Sequence, residues 1–364
     1  MWGFFWVYYM EISKISNEFL VDGSLISYKR LNGGNINLTY VVEYLSGNTA
    51  KAYVLQRINK QVFKKPDLVM QNVVAITEYI SSVNPDYPLK CIRTKRGGYY
   101  FVDDQGEFWR MYNFVKNSTS FDTTDNLSVA LNTGLAFGKF QNYLNEFEAT
   151  KLNVTIKDFH NTKLRVKSLI DAVKSDKFSR RRYAESEIEY LINNQNRAVT
   201  LCDLLASNKL PLKVTHNDTK CNNVLFDKDT LKPLAVVDLD TVMPGLCAHD
   251  YGDGIRSIAS TAKEDEENLS LVDFDFDKFK AFTKGFVSQI KHNLTETELS
   301  TLYLGIEAMT LELATRFLCD YLQGDIYFKT EKPLHNLIRA KNQIELSKKI
   351  AFHRREIMQF ISNI

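Results

Sequence analysis

No stretch of this 364-residue chain is apolar over the roughly 20 residues that a helix needs to cross a bilayer, so no membrane anchor is expected. An excess of one charge is missing too. Lysine and arginine number 46 against 44 for aspartate and glutamate, and the basic run SRRRY at 179–183 is offset by the acidic run KEDEE at 263–267. Nucleic-acid binders gather basic residues on one face, so no nucleic-acid partner is expected. Cysteine is scarce: Cys91, Cys202, Cys221, Cys247 and Cys319 are odd in number, scattered, and form no C-x-x-C pair. That excludes a disulfide framework and a zinc site and fits a reducing cytoplasm. Neither Gly-rich phosphate signature, G-x-G-x-x-G or G-x-x-x-x-G-K-[ST], is complete, and no repeat or low-complexity segment occurs.

What is present divides the chain in two. The opening MWGFFWVYYM is aromatic but has neither the basic flank nor the cleavage site of a signal peptide; residues 1–9 are expected to be extraneous or a loose arm, with Met10 the true start. Strand-like segments follow at 37–44 and 51–58, and again at 91–96, 99–103 and 108–115, around turns such as Ser46-Gly47-Asn48. Ahead of the first lies Asn32-Gly33-Gly34-Asn35, whose glycines allow a close backbone approach to phosphate. A helical period at 66–82 carries one glutamate, Glu78, that could pair a strand cation. From Asp125 onwards the periodicity is helical, over 126–147, 162–173, 186–205 and 295–322. The pattern predicts an α+β fold with a small N-terminal β lobe (1–112) and a larger helical lobe (113–364).

The chemistry lies in VTHNDTKCNNVLFDKDTLKPLAVVDLD at 214–240. His216, Asp218 and Asn223 precede a predicted hairpin, 224–226 with 234–237, which ends at Asp238 and Asp240. H-x-D-x-x-x-x-N, a hairpin and an aspartate is the spacing that kinase-type phosphoryl transfer uses for its base and metal ligands. A loop carboxylate at Asp218 can accept the proton of an attacking hydroxyl. Pairing the hairpin returns Asp238 beside Asn223, so two oxygen ligands converge on one magnesium ion. If the strand continues, Asp240 falls on the same side as Asp238 and is a further candidate ligand. Such a site also needs a cation on the third strand; the candidates are Gln56 and Arg57, on opposite faces, and a surface ion pair is the competing reading of Arg57. His160, in DFHNT, is expected to cap or pack. His249-Asp250 lacks the second histidine pair that a metal phosphohydrolase would need.

HNDTKCNNVLF, VVDLDTVMPG and HDYGDGIR resemble the aminoglycoside phosphotransferase and choline kinase superfamily. With NGGNINLTYVVE, YVLQRINKQVF, FWRMYNFV, DFHNT and LELATRFLCDYLQGDIYFK, the resemblance is closest to its N-acetylhexosamine 1-kinases. It covers about residues 25–349. It implies a protein-kinase-like two-lobed fold with ATP and Mg2+ in the cleft, Asp218 as catalytic base, and Asn223 and Asp238 as magnesium ligands. It places residues Asn32, Gly33, Gly34 and Asn35 over the phosphates, the backbone of Asn113, Phe114 and Val115 at the adenine, and Asp250 as a brace of the large lobe. The strand lysine of the wider superfamily is absent. The implied activity is phosphorylation of the anomeric hydroxyl of GlcNAc or GalNAc by a monomer or weak dimer. Asp218 would hold the sugar, and Arg316 would either reach it or pair with Asp320 one turn on. Two alternatives share these residues: a kinase of the same fold for another small alcohol (aminoglycoside, choline or homoserine), and a non-catalytic nucleotide-binding regulator.

Overall fold

The computed structural model describes residues 11–31 and 36–364. The N-terminal part is a five-stranded antiparallel sheet of order β1-β2-β3-β5-β4: β1 (Ser24–Arg30), β2 (Leu38–Ser46), β3 (Thr49–Arg57), β4 (Phe101–Val102) and β5 (Phe108–Asn113). Alternation along the strands gives it two unlike faces. Tyr40, Val42, Tyr44, Tyr53, Leu55, Trp109 and Met111 pack against Ile12, Ile15 and Phe19, of which the first two lie on α1 (described from residue 11 to 16). The opposite face carries a row of polar side chains: register sets Thr39 opposite Gln56, and Gln56 opposite Arg110. Helix α2 (Pro66–Val83), entered through Pro66 at its first turn, buries Val69, Met70, Val73 and Ile76 in the core below.

Two expected strands are mostly absent. Of 91–96 and 99–103, only Phe101–Val102 forms a ladder; Cys91 and Thr94 make single bridges to Tyr112 and Phe19. Edge pairing is lost where Arg96-Gly97-Gly98 turns the chain away after so few residues.

The larger part is helical: α3 (Leu127–Tyr143), α4 (Thr162–Ser175), α5 (Glu185–Asn193), α6 (Gln195–Ala206), α7 (Cys247–Ile258), α8 (Phe276–Ile290), α9 (Glu296–Ser300), α10 (Leu302–Leu322), α11 (His335–Phe352) and α12 (Arg354–Ser362). The helix expected over 186–205 breaks at Asn194, and that over 295–322 breaks at Thr301. Helix α10 is buried along almost its whole length and crosses α7 so closely that a Cβ on Gly305 would stand 2.0 Å from the Ala248 carbonyl oxygen. The remaining strands are β6 (Ser118–Thr119), β7 (Lys213–Thr215), β8 (Val224–Asp227), β9 (Pro233–Val236) and β10 (Met243–Gly245). No described helix is long and apolar enough to cross a membrane.

Candidate active site

Strands β7 and β10 pair antiparallel, and the chain leaves β7 through Asn217 at φ 64°, a left-handed conformation that asparagine tolerates better than most residues. Side-chain hydrogen bonds hold this kink. Thr215 Oγ1 donates to Asn217 Oδ1 at 2.9 Å, Asn217 Nδ2 donates to the Thr241 carbonyl at 2.9 Å, and the Asp250 carboxylate accepts the backbone N–H groups of His216 and Asn217 at 2.8 and 2.7 Å. Asp250 therefore braces the loop from α7. The buried His216 ring spans the loop and the hairpin, with Nε2 2.9 Å from the Val237 carbonyl oxygen and Nδ1 accepting the Asp218 N–H at 3.3 Å.

Asp218 emerges from this frame half-buried. Its carboxylate takes Lys220 Nζ at 3.0 Å on one oxygen and Asn223 Nδ2 at 3.0 Å on the other. Burial pushes the Asp218 carboxyl up, but the Lys220 ammonium, the neighbouring His216 ring and the bonds from Lys220 and Asn223 outweigh it, so the group is held below the usual range and ionised at neutral pH. In return Asp218 holds the Lys220 ammonium well above the ordinary lysine range. Lys220, which lines the cleft cavity beside Asp218, is a candidate that sequence reasoning missed. Its signal was the D-x-K spacing: Lys220 is extended, so side chains two apart share a side.

The hairpin pairs Val224 with Val236, and the Val237 N–H donates to the Asn223 carbonyl at 2.9 Å, which carries Asp238 back next to Asn223. Asp238 opens onto the cleft with its backbone at φ 58°. Dense protein around its base, then the negative charges of Asp240 and Asp218, push its carboxyl up to about 7. Among the described residues neither the Asp238 carboxylate nor Asn223 Oδ1 takes part in a hydrogen bond, so uncompensated negative charge and free oxygens coincide there. That donor set fits a hard divalent cation that keeps most of its ligands from phosphate and water.

Asp240 does not join it. The left-handed turn at Asp238 ends the strand, and residues 239–241 form a 3-10 turn, so the period-two expectation fails. Both Asp240 oxygens are instead committed inside the protein: Oδ1 to the guanidinium of Arg110, and Oδ2 to Asn37 Nδ2 at 2.6 Å. Arg110 is 1% exposed; burial opposes its charge, but Asp240 outweighs that and keeps it firmly protonated. Arg110 Nε also donates to Gln56 Oε1 at 3.1 Å, and Gln56 Nε2 to Thr39 Oγ1 at 3.0 Å. A buried arginine of β5 thus ties the sheet to the segment after Asp238. A lone arginine inside the apolar FWRMY was its signal.

Gln56 lines the cleft, whereas Arg57 does not. On the opposite face Arg57 stands 6.0 Å over Trp109 and 3.9 Å from Glu107, beside a separate cavity with Asn59 and Lys60. Glu78 is likewise turned out to Arg93 and Tyr99. The cleft cavity, about 410 Å³, is bounded by Gln56, Asn113, Phe114 and Val115 above and Asp218, Lys220, Asn223 and Asp238 below. Asn32, Gly33, Gly34 and Asn35 lie outside the described residues. Arg316 is not brought to Asp218. It lies among Phe159, Tyr327 and Phe328 at 5.3–5.7 Å and lines a separate cavity, and Asp320, its expected partner, accepts backbone N–H groups of residues 326–328 instead. His160 caps nothing; Asn161 caps α4. With His249 it walls a second cavity, about 430 Å³, on the side of the loop marked by Asn217.

A small antiparallel sheet over a larger helical body, with this loop and hairpin between them, is a kinase-like fold with a phosphotransfer-type site. The chain belongs to the phosphotransferase enzyme family (APH), whose pattern matches residues 27–282. Similar solved structures include an aminoglycoside phosphotransferase from Alicyclobacillus acidocaldarius (TM-score 0.66, 12% identity, 96% of each chain covered). A spectinomycin phosphotransferase in complex with ADP and spectinomycin (0.57, 13%, 92% of this chain and 94% of that one) and a choline kinase from Cryptosporidium parvum (0.57, 13%, 91% of each) share the fold.

Proposed function

We propose that this chain is an ATP- and magnesium-dependent small-molecule kinase that phosphorylates the anomeric hydroxyl of an N-acetylhexosamine, GlcNAc or GalNAc, to the sugar 1-phosphate. The observation that carries the kinase reading is the convergence of Asp218, Lys220, Asn223 and Asp238 on one cleft cavity. Asn223 and Asp238 would hold the magnesium ion, which when bound offsets the negative charge of the phosphates. Asp218, ionised and fixed by Asn223 and Lys220, orients the acceptor hydroxyl and takes its proton as the new oxygen–phosphorus bond forms and the bond from the γ-phosphorus to ADP breaks. Lys220, its ammonium 3.0 Å from the Asp218 carboxylate, offsets charge on the transferring group. Gln56 and the 113–115 backbone border the nucleotide side of the cavity. ADP in the spectinomycin phosphotransferase neighbour supports a nucleotide donor. The sugar assignment rests on the sequence resemblance.

The test is ADP release across N-acetylhexosamines, hexoses, choline, homoserine and aminoglycosides, with and without EDTA. Turnover of GlcNAc or GalNAc that stops with EDTA supports the assignment. Turnover of another acceptor alone moves it to a different small alcohol, and no turnover with any of them favours a non-catalytic nucleotide binder.

A further inference from the structure

Helix α7 turns three buried charged side chains, Asp250, Asp253 and Arg256, to one side at a spacing of three residues. Asp250 braces His216 and Asn217. Asp253 takes hold one step further along the loop: its Oδ2 accepts the backbone N–H of Thr219, the residue between Asp218 and Lys220, at 2.9 Å. Its Oδ1 accepts Arg256 Nε at 3.0 Å and Arg256 Nη2 at 2.7 Å. The other end of the guanidinium, Nη1, stands 3.4 Å from Glu264 Oε2 in the acidic run and 3.5 Å from Gln343 Oε1 on α11.

The acidic run is tied down along its length. Asp265 stands 3.4 Å from His335 Nε2, Glu267 takes Lys332 Nζ at 2.7 Å, and the Lys263 carbonyl accepts Asn342 Nδ2 at 2.9 Å. Glu264 is therefore a fixed neighbour of Arg256. Three carboxylates, Asp218, Asp253 and Glu264, share two cations, Lys220 and Arg256. Asp218, and after it Glu264 and Asp253, hold the Lys220 ammonium charged against burial and against the repulsion of Arg256. Asp218 and Lys220 line the cleft cavity, whereas Asp253, Arg256 and Glu264 are not among its lining residues.

We propose that Arg256 is a positioning residue for phosphoryl transfer: by occupying Asp253 and Glu264 behind the loop, it leaves the Lys220 ammonium to Asp218 on the cleft side. This rests on the kinase reading above and adds a residue to its site. Without the guanidinium, two carboxylates lose their cation, and buried carboxylates do not stay unpaired. Lys220 is the cation that both already attract, and its ammonium rides on a flexible four-carbon stem. It turns back to them, away from Asp218 and the transferring group.

The test is a set of variants: Arg256→Gln, Lys220→Met, the double variant K220M/R256Q, and Asp253→Asn/Arg256→Gln, in which the asparagine keeps an acceptor for the Thr219 N–H. Each is read in kcat, ATP KM and urea midpoint, with the acceptor that the wild type uses. The expected result for R256Q is a kcat lowered about 10- to 100-fold with the ATP KM within about threefold of wild type. Adding K220M to R256Q costs nothing further, and D253N/R256Q regains part of the lost kcat, because the competing carboxylate is gone. Additive losses from K220M and R256Q, or a D253N/R256Q no more active than R256Q, mean that Arg256 serves the fold alone and overturn the proposal. Arg256→Lys, which keeps the charge and loses the two-pronged hold, replaces R256Q in the same cycle if R256Q does not fold. Crystal structures of wild type and variant read the same point without turnover. Lys220 is expected to leave Asp218, 3.0 Å away in the wild type, for Asp253 or Glu264. A Lys220 that stays on Asp218 overturns the positioning role whether or not any acceptor is phosphorylated. A Lys220 that moves, in a protein whose wild type phosphorylates nothing, upholds the competition for its ammonium and removes the kinase reading.

Discussion

The two cavities beside residues 216–223 are built on opposite principles. On the cleft side the polar groups are charged and matched: Asp218 has Lys220 and Asn223, and Asp240 has Arg110 and Asn37. Asp238 and the free oxygen of Asn223 are the exception, at the place where a cation fits. On the other side His249 is held uncharged and Glu312 pairs through one oxygen with His160, and among the described residues four atoms of these three side chains are unmatched. The same loop borders both: Asp250 and His249 are neighbours on one helical turn, one bracing the loop from behind and the other lining the second cavity.

The comparison breaks most sharply at Asp218. Asp218→Asn removes the proton acceptor but neither metal ligand, so turnover should fall by about 10²–10⁴-fold while ATP affinity, read by calorimetry, stays within a few fold. Undiminished turnover removes Asp218 from the mechanism. Asp238 and Asp240, two residues apart, should then separate into function and stability. Asp238→Asn should cost magnesium-dependent turnover with little change in the urea midpoint. Asp240→Asn leaves Arg110 buried without its counter-charge and should destabilise the fold by about 3–5 kcal/mol in urea titration. Equal effects of the two on stability would erase the distinction.

Titration sharpens the other side. His249 has a folded pKa of about 3 against an ordinary 6.5, so between these values the unfolded chain binds a proton that the folded one does not. Its contribution to stability is complete above about pH 6.5 and is lost as pH falls towards 3, up to about 4 kcal/mol. Denaturant melts from pH 7 to 4 should show a shallower decline in His249→Phe than in wild type; parallel curves would mean the imidazole is not held neutral. The smallest effect is expected at Arg57. Arg57→Ala loses an exposed 3.9 Å ion pair and a cation–π contact outside the cleft, so the ATP KM should be unchanged and stability altered by at most about 1 kcal/mol.

Much of the site was legible because its parts are local. Asp218, Asn223 and Asp238 are linked by a loop and a hairpin of short range, and β pairing alone returns Asp238 to Asn223. Period-two alternation placed Gln56 and Arg57 on opposite faces and left open which of them looks into the cleft; the packing of Tyr53, Leu55 and Trp109 on α1 decides that. Alternation failed for Asp240 because it presumes a continuing strand, and a single left-handed residue ends it.

By itself, then, the amino-acid order determined the two-part α+β layout and the placing of Asp218 beside the hairpin-linked Asn223 and Asp238, since these follow from hydrophobic period and short spacing. Contacts between residues far apart in the chain were decided only by tertiary structure. Arg110 finds Asp240 across 130 positions, and His160 finds Glu312 across 152. Nothing in the local sequence of either partner encodes such a meeting, because it depends on how the sheet seats on the helices and how closely α10 can cross α7 at Gly305.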